Sequence, residues 1–259
     1  MLAVEKIRLR QNGSMTEVLF ENEKLIPSNA DWLWPRLGPL SRDAGLTLLK
    51  GFESAGFRLV NSATATALAS DKIESLLQLS ESGLAIPRTW FFHPCTQWRT
   101  EDLVATTKFW IKTRTGSQGL GVSWADCATH ALAQVDLIRM SQGSGLLQEH
   151  ITGEDVRVLV WRQQVLASMK REANKLNPRA NLSQGAHAFP FTPSTELASL
   201  AVQATRAMGL QFAGVDFLVN GSDAKILEVN PSPGLVGLTT VSGRDLASEL
   251  LQTLRTTTK

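Results

Sequence analysis

The chain has 259 residues, of which 43% are hydrophobic and 19% charged, enough to bury a core and too apolar for an intrinsically disordered segment. Lys and Arg number 26 against 24 Asp and Glu, a net charge of +2, and the basic residues are scattered, so nothing marks a nucleic-acid surface. The opening MLAVEKIRLR holds no apolar run of signal-peptide length and no run of about 18 apolar residues follows, which points to a soluble cytoplasmic protein with no membrane partner. Cys95 and Cys127 form no CxxC pair and read as ordinary thiols.

In chain order, DAGLTLLKGFESAGF carries Leu46, Leu49 and Phe52 at helical spacing before a Gly56 stop, and a short strand follows over Phe57 to Val60. DKIESLLQLSESG predicts a helix with Asp71 near its start and Gly83 past its end, and Leu84 to Phe92 reads as extended. KFWIK and LGVSW predict two strands around a glycine-rich turn, with a helix from Asp126 to Met140 after them. Strands are predicted at Gly145 to Ile151, Val156 to Trp161 and Val165 to Lys170, then a loop from Glu172 to about Ala188. Thr192 is the candidate N-cap of a helix running from Pro193 to Met208, with Gly209 as its stop. Strands at Phe212 to Val219 and Ala224 to Asn230 complete an α+β pattern of subdomains around a cleft.

Three stretches carry chemistry. Glu228 and Asn230 fall on one face of a strand, and with Asp216 they form an oxygen-only set in otherwise apolar sequence, which suits magnesium; a solvent-facing edge is the plainer alternative. The run Thr113 to Val122 has glycines spaced GxxGxG between two strands, with Lys112 beside it, and could bring backbone N–H groups to phosphate oxygens; an ordinary glycine hairpin is the alternative. Gln148-Glu149-His150-Ile151 followed by Asp155 has the look of a hinge strand that offers backbone groups to an adenine and a carboxylate to a ribose. The four histidines are far apart in sequence and the seven tryptophans lack a stacking motif, so neither set reads as catalytic. Arg36 could grip a substrate carboxylate or form a surface ion pair.

Taken in order, these pieces resemble the ATP-grasp superfamily and, within it, the RimK-like amino-acid (glutamate) ligases. The resemblance rests on Trp34-Pro35-Arg36-Leu37-Gly38, Ser70-Asp71-Lys72, Ile86-Pro87-Arg88-Thr89, Ile111-Lys112 with GSQGLGV, and Gln148-Glu149-His150-Ile151. It continues through Asp155-Val156-Arg157, Met169-Lys170-Arg171, Arg179-Ala180-Asn181-Leu182 with Gly185, Ala213-Gly214-Val215-Asp216 and Leu227-Glu228-Val229-Asn230-Pro231-Ser232-Pro233-Gly234-Leu235. It implies an α+β ATP-grasp fold of three subdomains, residues 1–68, 69–147 and 148–259, with ATP between the second and third. It further implies that Lys72, Lys112 and the loop residues Gly116, Ser117, Gln118, Gly119 and Gly121 hold phosphates, that Gln148, Glu149 and Ile151 frame the adenine, and that Asp155 meets the ribose. Asp216, Glu228 and Asn230 would hold Mg2+, with Mn2+ as a substitute, and Arg157, Arg171 and Asn181 would face the transferred phosphoryl and the carboxylate. The implied activity is ATP-dependent ligation of an amino acid such as glutamate to a carboxylate acceptor through an acyl phosphate, with ADP and phosphate released. A phosphotransferase on a small molecule and a regulatory ATP-binding module without turnover are the rivals. Homo-oligomerisation stays open, and the short N-terminal part departs from the family where an acceptor would sit.

Two structural expectations follow. Residues Glu172 to Ala188, polar and rich in Asn, Pro and Gly, have the composition of a cover over the cleft. In the last hairpin Asn220-Gly221 invites a two-residue turn whose paired positions sum to 441, which would put Asp216 and Glu228 on opposite faces. Metal binding by both carboxylates requires an even sum, most simply 444, hence a connection of odd length or else a bulge near the tip.

Overall fold

The computed structural model describes residues 2–28, 32–38, 41–98, 103, 108–116, 119–172 and 186–256. Ser117, Gln118 and Asn181, and most of the expected cover, lie outside the described residues. No helix among the described residues is long and apolar enough to cross a membrane.

The chain opens with a three-stranded antiparallel meander, Ile7–Asn12 (β1), Met15–Phe20 (β2) and Glu23–Leu25 (β3), which the predicted elements do not include. Trp32–Leu33 (β4) pairs in parallel with Arg58–Leu59 (β5). The predicted helix forms as Arg42–Ser54 (α1) and buries Leu49 and Phe52. It approaches β1 so closely that a Cβ on Gly51 would come within 2.4 Å of Leu9 Cδ2.

Two helices lead to the centre. Ala63–Ser70 (α2), capped by Ser62, is new, whereas Lys72–Glu81 (α3) forms as predicted with Asp71 as N-cap, its Oδ1 accepting from the N–H groups of Ile73 at 3.0 Å and Glu74 at 3.3 Å. Thr89–Phe92 (β6), Phe109–Thr113 (β7), Val122–Ala125 (β8) and Gly145–Glu149 (β9) form a four-stranded antiparallel sheet in the order β6-β9-β7-β8. Ala128–Met140 (α4) buries Ala131 and Val135 against Phe109, Ile111 and Leu147 of that sheet.

The second sheet is five-stranded and antiparallel. It comprises Glu154–Trp161 (β10), Gln164–Glu172 (β11), His187–Pro190 (β12), Phe212–Asn220 (β13) and Asp223–Asn230 (β14), in the order β12-β11-β10-β13-β14. His187 and Ala188, expected in a loop, pair with Glu172 and Arg171 and extend the sheet. Thr195–Ala207 (α5) is shorter at its start than predicted: Ser194, not Thr192, is the cap, its Oγ accepting from Leu197 N at 3.2 Å, and Pro193 precedes the helix.

The β10 and β13 residues alternate between two environments. Val156, Val158, Val215 and Phe217 join Leu76 and Leu79 of α3 and Leu197, Ala201 and Ala204 of α5 in one core, so the helices before the first sheet share a core with the second. On the opposite face, Leu159, Trp161 and Phe212 are covered by Val236–Ser242 (α6) and Leu246–Thr256 (α7). Nearer the other end that face carries Asp155, Arg157 and Asp216.

The hairpin of β13 and β14 has the even sum of 444 that sets Asp216 opposite Glu228, but reaches it by neither expected route. Its connection is the two-residue Gly221-Ser222, with Gly221 at φ +61°, the left-handed conformation that a first turn position suits glycine to adopt. Asn220 pairs with Asp223 and the sum stays at 443 as far as Phe217↔Ile226; there Leu227 is inserted, and Asp216↔Glu228, Val215↔Val229 and Gly214↔Asn230 all sum to 444. The even register is thus reached by a bulge in mid-strand, away from the tip. Leu227, the inserted residue, lines the cleft.

Candidate active site

A cavity of about 600 Å3 opens between the two sheets. From the first sheet and α3 it is lined by Lys72, Lys112, Gln148, Glu149 and the glycines Gly116 and Gly119; from the second by Asp155, Arg171, Asp216 and Glu228. Ile151, on the connection between the sheets, completes the wall. Residues far apart in sequence therefore meet as the motifs predict. Gly121, Arg157 and Asn230 are not among the residues that line the cavity.

The glycine loop is fastened at its base. Gly116, Gly119 and Gly121 have φ of +140°, +78° and +71°, a run that side chains would strain. Arg114 donates from Nε to Asp71 Oδ2 at 2.6 Å and from Nη2 to Glu74 at 3.1 Å, so the cap of α3 also holds the loop. Lys72 Nζ donates to Gly116 O, and Lys112 Nζ donates to Gln148 Oε1 at 2.7 Å. Burial lowers both ammonium pKa values, that of Lys112 from 10.5 to about 8, against the raising pull of Glu228. Two partly desolvated cations facing a cleft suit a polyanion, which would restore their charge.

At the hinge, the ladder of β9 is diverted. Glu149 N donates to Arg88 O at 3.0 Å, but Arg88 N donates at 2.9 Å to the side-chain Oε1 of Glu149, sparing the backbone carbonyl of Glu149 from that bond. Trp110 and His150 stand beside it, joined by Nε1–H donating to Nδ1 at 3.1 Å. Gln148 is 1% exposed, its amide divided between Lys112 and Thr89 Oγ1.

Across the cleft, cross-strand pairing puts Arg157 opposite Asp216 and Arg171 opposite Asp155. Arg157 grips Asp216 through Nε and Nη2, each at 2.6 Å, and Arg171 reaches Asp155 at 2.7 Å and Asp216 at 3.1 Å. Burial alone would raise the pKa of Asp216, but the two guanidinium groups overcome it and hold the carboxyl below its ordinary value. Burial, with the nearby Asp216 charge, raises Asp155 to about 6 despite Arg171, so Asp155 is the first of the pair to protonate as pH falls.

Glu228 differs from these: its half-buried carboxylate makes no hydrogen bond or ion pair among the described residues, although it directly faces Asp216 across the strand pair. Asn230 lies two residues on, its Oδ1 accepting from Ser232 N at 2.8 Å and keeping a second lone pair. An unpartnered carboxylate beside a second carboxylate and an oriented amide oxygen fits a hard divalent cation, which takes oxygen ligands and completes its shell with water or phosphate. Motif reasoning passed over Trp110, Leu218 and Leu227, which supply apolar wall; strand alternation from Asp216 could have found Leu218, whereas Leu227 depends on the bulge. Arg36 donates from Nη2 to Pro233 O at 2.7 Å.

Residues 69–254 match the family described as the RimK-like ATP-grasp domain. A "Probable alpha-L-glutamate ligase" of Maridesulfovibrio salexigens is 34% identical over 239 residues, covering 90% of this chain and 78% of that protein. A protein of the same name from Pasteurella multocida is 33% identical over 252 residues, covering 95% of this chain and 80% of that protein. Two solved structures share the fold. The ATP-grasp ligase PsnB, complexed with a phosphomimetic variant of its minimal precursor, Mg and ADP, gives a TM-score of 0.70 at 20% identity over 98% of this chain and 86% of that one. D-alanine–D-alanine ligase from Bacillus anthracis, complexed with ATP, gives 0.70 at 16% identity over 88% and 79%. With the domain spanning more than half of the sequence and relatives a third identical along nearly all of it, the chain belongs to the RimK-like ATP-grasp family and is an ATP-dependent ligase.

Proposed function

We propose that the protein binds MgATP in the cleft between the two sheets, activates a carboxylate as an acyl phosphate and joins it to the amino group of an amino acid, releasing ADP and phosphate. The observation that carries this reading is the Glu228 carboxylate, without a hydrogen bond or contact ion pair among the described residues, facing Asp216 on one wall, opposite the desolvated Lys72 and Lys112 that it attracts from the other. Glutamate is the favoured amino acid because the relatives named above are described as glutamate ligases. The cytoplasm, where ATP is plentiful, is the compartment this chemistry suits.

Lys72 and Lys112 would neutralise phosphate oxygens as the glycine loop lies over them, while Glu149 and Ile151 offer backbone groups to the adenine and Asp155 its free oxygen to the ribose. Asp216, Glu228 and Asn230 would hold Mg2+, or Mn2+ in its place, which when bound neutralises the charge of the phosphates. Arg157 and Arg171 are braced on Asp216 with N–H groups to spare, and would orient the carboxylate so that its oxygen attacks the terminal phosphorus as ADP leaves. The amine nitrogen then attacks the acyl carbon, phosphate departs with the former carboxylate oxygen, and the nitrogen loses a proton.

The test is ADP release across a matrix of amino acids and candidate acids, with mass spectrometry of the products. ADP formed with an acid alone, together with hydroxamate when hydroxylamine is supplied, supports the reading. A stable phosphate ester from an alcohol would make the protein a phosphotransferase, and nucleotide binding without ADP formation under any pairing would make it a binding module.

A further inference from the structure

Asn61 sits between β5 and α2, 3% exposed, beside the core residues Val60 and Ala63. Its amide makes four hydrogen bonds: Nδ2 donates to the carbonyls of Phe212 at 2.8 Å and Pro231 at 3.1 Å, and Oδ1 accepts from the N–H groups of Gln211 at 2.9 Å and Phe212 at 3.0 Å. Phe212 opens β13 and Pro231 follows β14, so one buried side chain joins the two ends of the hairpin that carries Asp216, Glu228 and Asn230. Aspartate has no donor for the two carbonyls, and an aliphatic residue would leave all four backbone groups unpaired.

The loop after Asn230 is held a second time from the N-terminal region. Arg36, itself exposed, donates to Pro233 O at 2.7 Å. Pro233 is buried, and its ring stands 2.8 Å from where a Cβ on Gly214 would be, Gly214 being the strand partner of Asn230. Between the two tethered prolines lies Ser232, whose N–H donates to Asn230 Oδ1 at 2.8 Å.

We propose that Asn61 and Arg36 are positioning residues of the metal site: by fixing Pro231 and Pro233 they set the Ser232 N–H that orients the Asn230 amide beside Asp216 and Glu228. This rests on the metal assignment of the preceding subsection. Neither residue touches the cation. Their effect is transmitted through the loop, and a role confined to packing would lower stability while leaving cation affinity unchanged.

The test is Mn2+ titration of the full chain with saturating ADP, read by the EPR signal of free Mn2+, with thermal unfolding followed in parallel. Glu228→Gln serves as the reference for loss of a ligand. Arg36→Met should weaken Mn2+ binding about 5-fold, part of the tenfold or more that a charge-assisted hydrogen bond is worth, at a nearly unchanged Tm. Arg36→Lys, which keeps a charged donor, should recover most of that loss. Asn61→Asp should weaken it further, and Gly214→Ala, which must displace the Pro233 ring, should act in the same direction even if Asn61→Asp does not fold. The apparent KM for the metal–ATP complex should rise with these variants while that for the amino acid stays level. If Glu228→Gln weakens Mn2+ binding but Arg36→Met and Gly214→Ala leave it within about twofold, the positioning role is overturned and the metal assignment survives. If Glu228→Gln also leaves it unchanged, both fall together.

Discussion

Glu228 is the residue on which the site assignment turns, because its half-buried carboxylate, which attracts Lys72 and Lys112 without a hydrogen bond or contact ion pair among the described residues, faces Asp216 with its oxygens free for a cation. Glu228→Gln removes the charge at nearly constant volume, so it should leave the ligand-free fold intact, as judged by circular dichroism and Tm, and reduce magnesium-dependent ADP formation by about 100-fold or more. Lys112 gives a second prediction. Its pKa is about 8 in the folded chain against 10.5 ordinarily, so between those values the unfolded chain binds more protons than the folded one. The stability of the ligand-free protein, measured relative to Lys112→Met, should therefore rise as pH increases from 8 to 10.5. Phosphates should return the proton: nucleotide binding at pH 8 should take up about half a proton, seen by calorimetry in buffers of different ionisation enthalpy, and Lys112→Met should abolish that uptake.

At the scale of elements, α3 and the glycine loop are joined through one side chain. Asp71 caps the helix with one oxygen and holds Arg114 with the other. Asp71→Ala should cost about 1 kcal/mol in urea unfolding, the usual worth of an N-cap, and weaken nucleotide binding. Asp71→Asn, an equally good cap, should restore the stability but leave nucleotide affinity low, because Arg114 loses its anionic partner. Equal recovery of both properties would show that the loop does not depend on the ion pair.

The same scale explains what could be read in advance. Helices with strong end signals, such as Asp71 to Gly83, and strands as apolar as β7, β10 and β13 were legible because their local chemistry and their burial agree. The β1–β3 meander was not, although Ile7 and Leu9 alternate with Arg8 and Arg10, since β1 buries no residue fully and β3 has only three residues. Asp216 and Glu228 share a face, as an even sum requires, but the extra residue sits in mid-strand and not at the tip. β13 is paired without interruption to β10 along its length, whereas β14 is the edge strand and can absorb an extra residue at Leu227. Asn61 escaped notice for a different reason: its partners lie about 150 residues away, and nothing local announces them.

On the scale of the molecule, the cleft joins two sheets that share a core through α3 and α5 but face each other across open space. A ligand that bridges Lys72 and Lys112 to Glu228 adds contacts present only in the folded chain. Saturating ADP with Mg2+, at about 100 times its Kd, should therefore raise stability by about 2.7 kcal/mol, and Lys72→Met should reduce the gain at the same ligand concentration. No gain in Tm for the unaltered chain would mean that the cleft is not the nucleotide site.

The central claim is that a carboxylate oxygen of one substrate ends up on phosphate. Once a productive pair of substrates is known, the acid labelled with 18O in its carboxylate should be turned over with unlabelled ATP in ordinary water, and the inorganic phosphate examined by mass spectrometry. Activation as an acyl phosphate requires that each phosphate released carry one oxygen from the acid, so phosphate should become labelled in step with amide formation. Unlabelled phosphate formed alongside product would contradict the account.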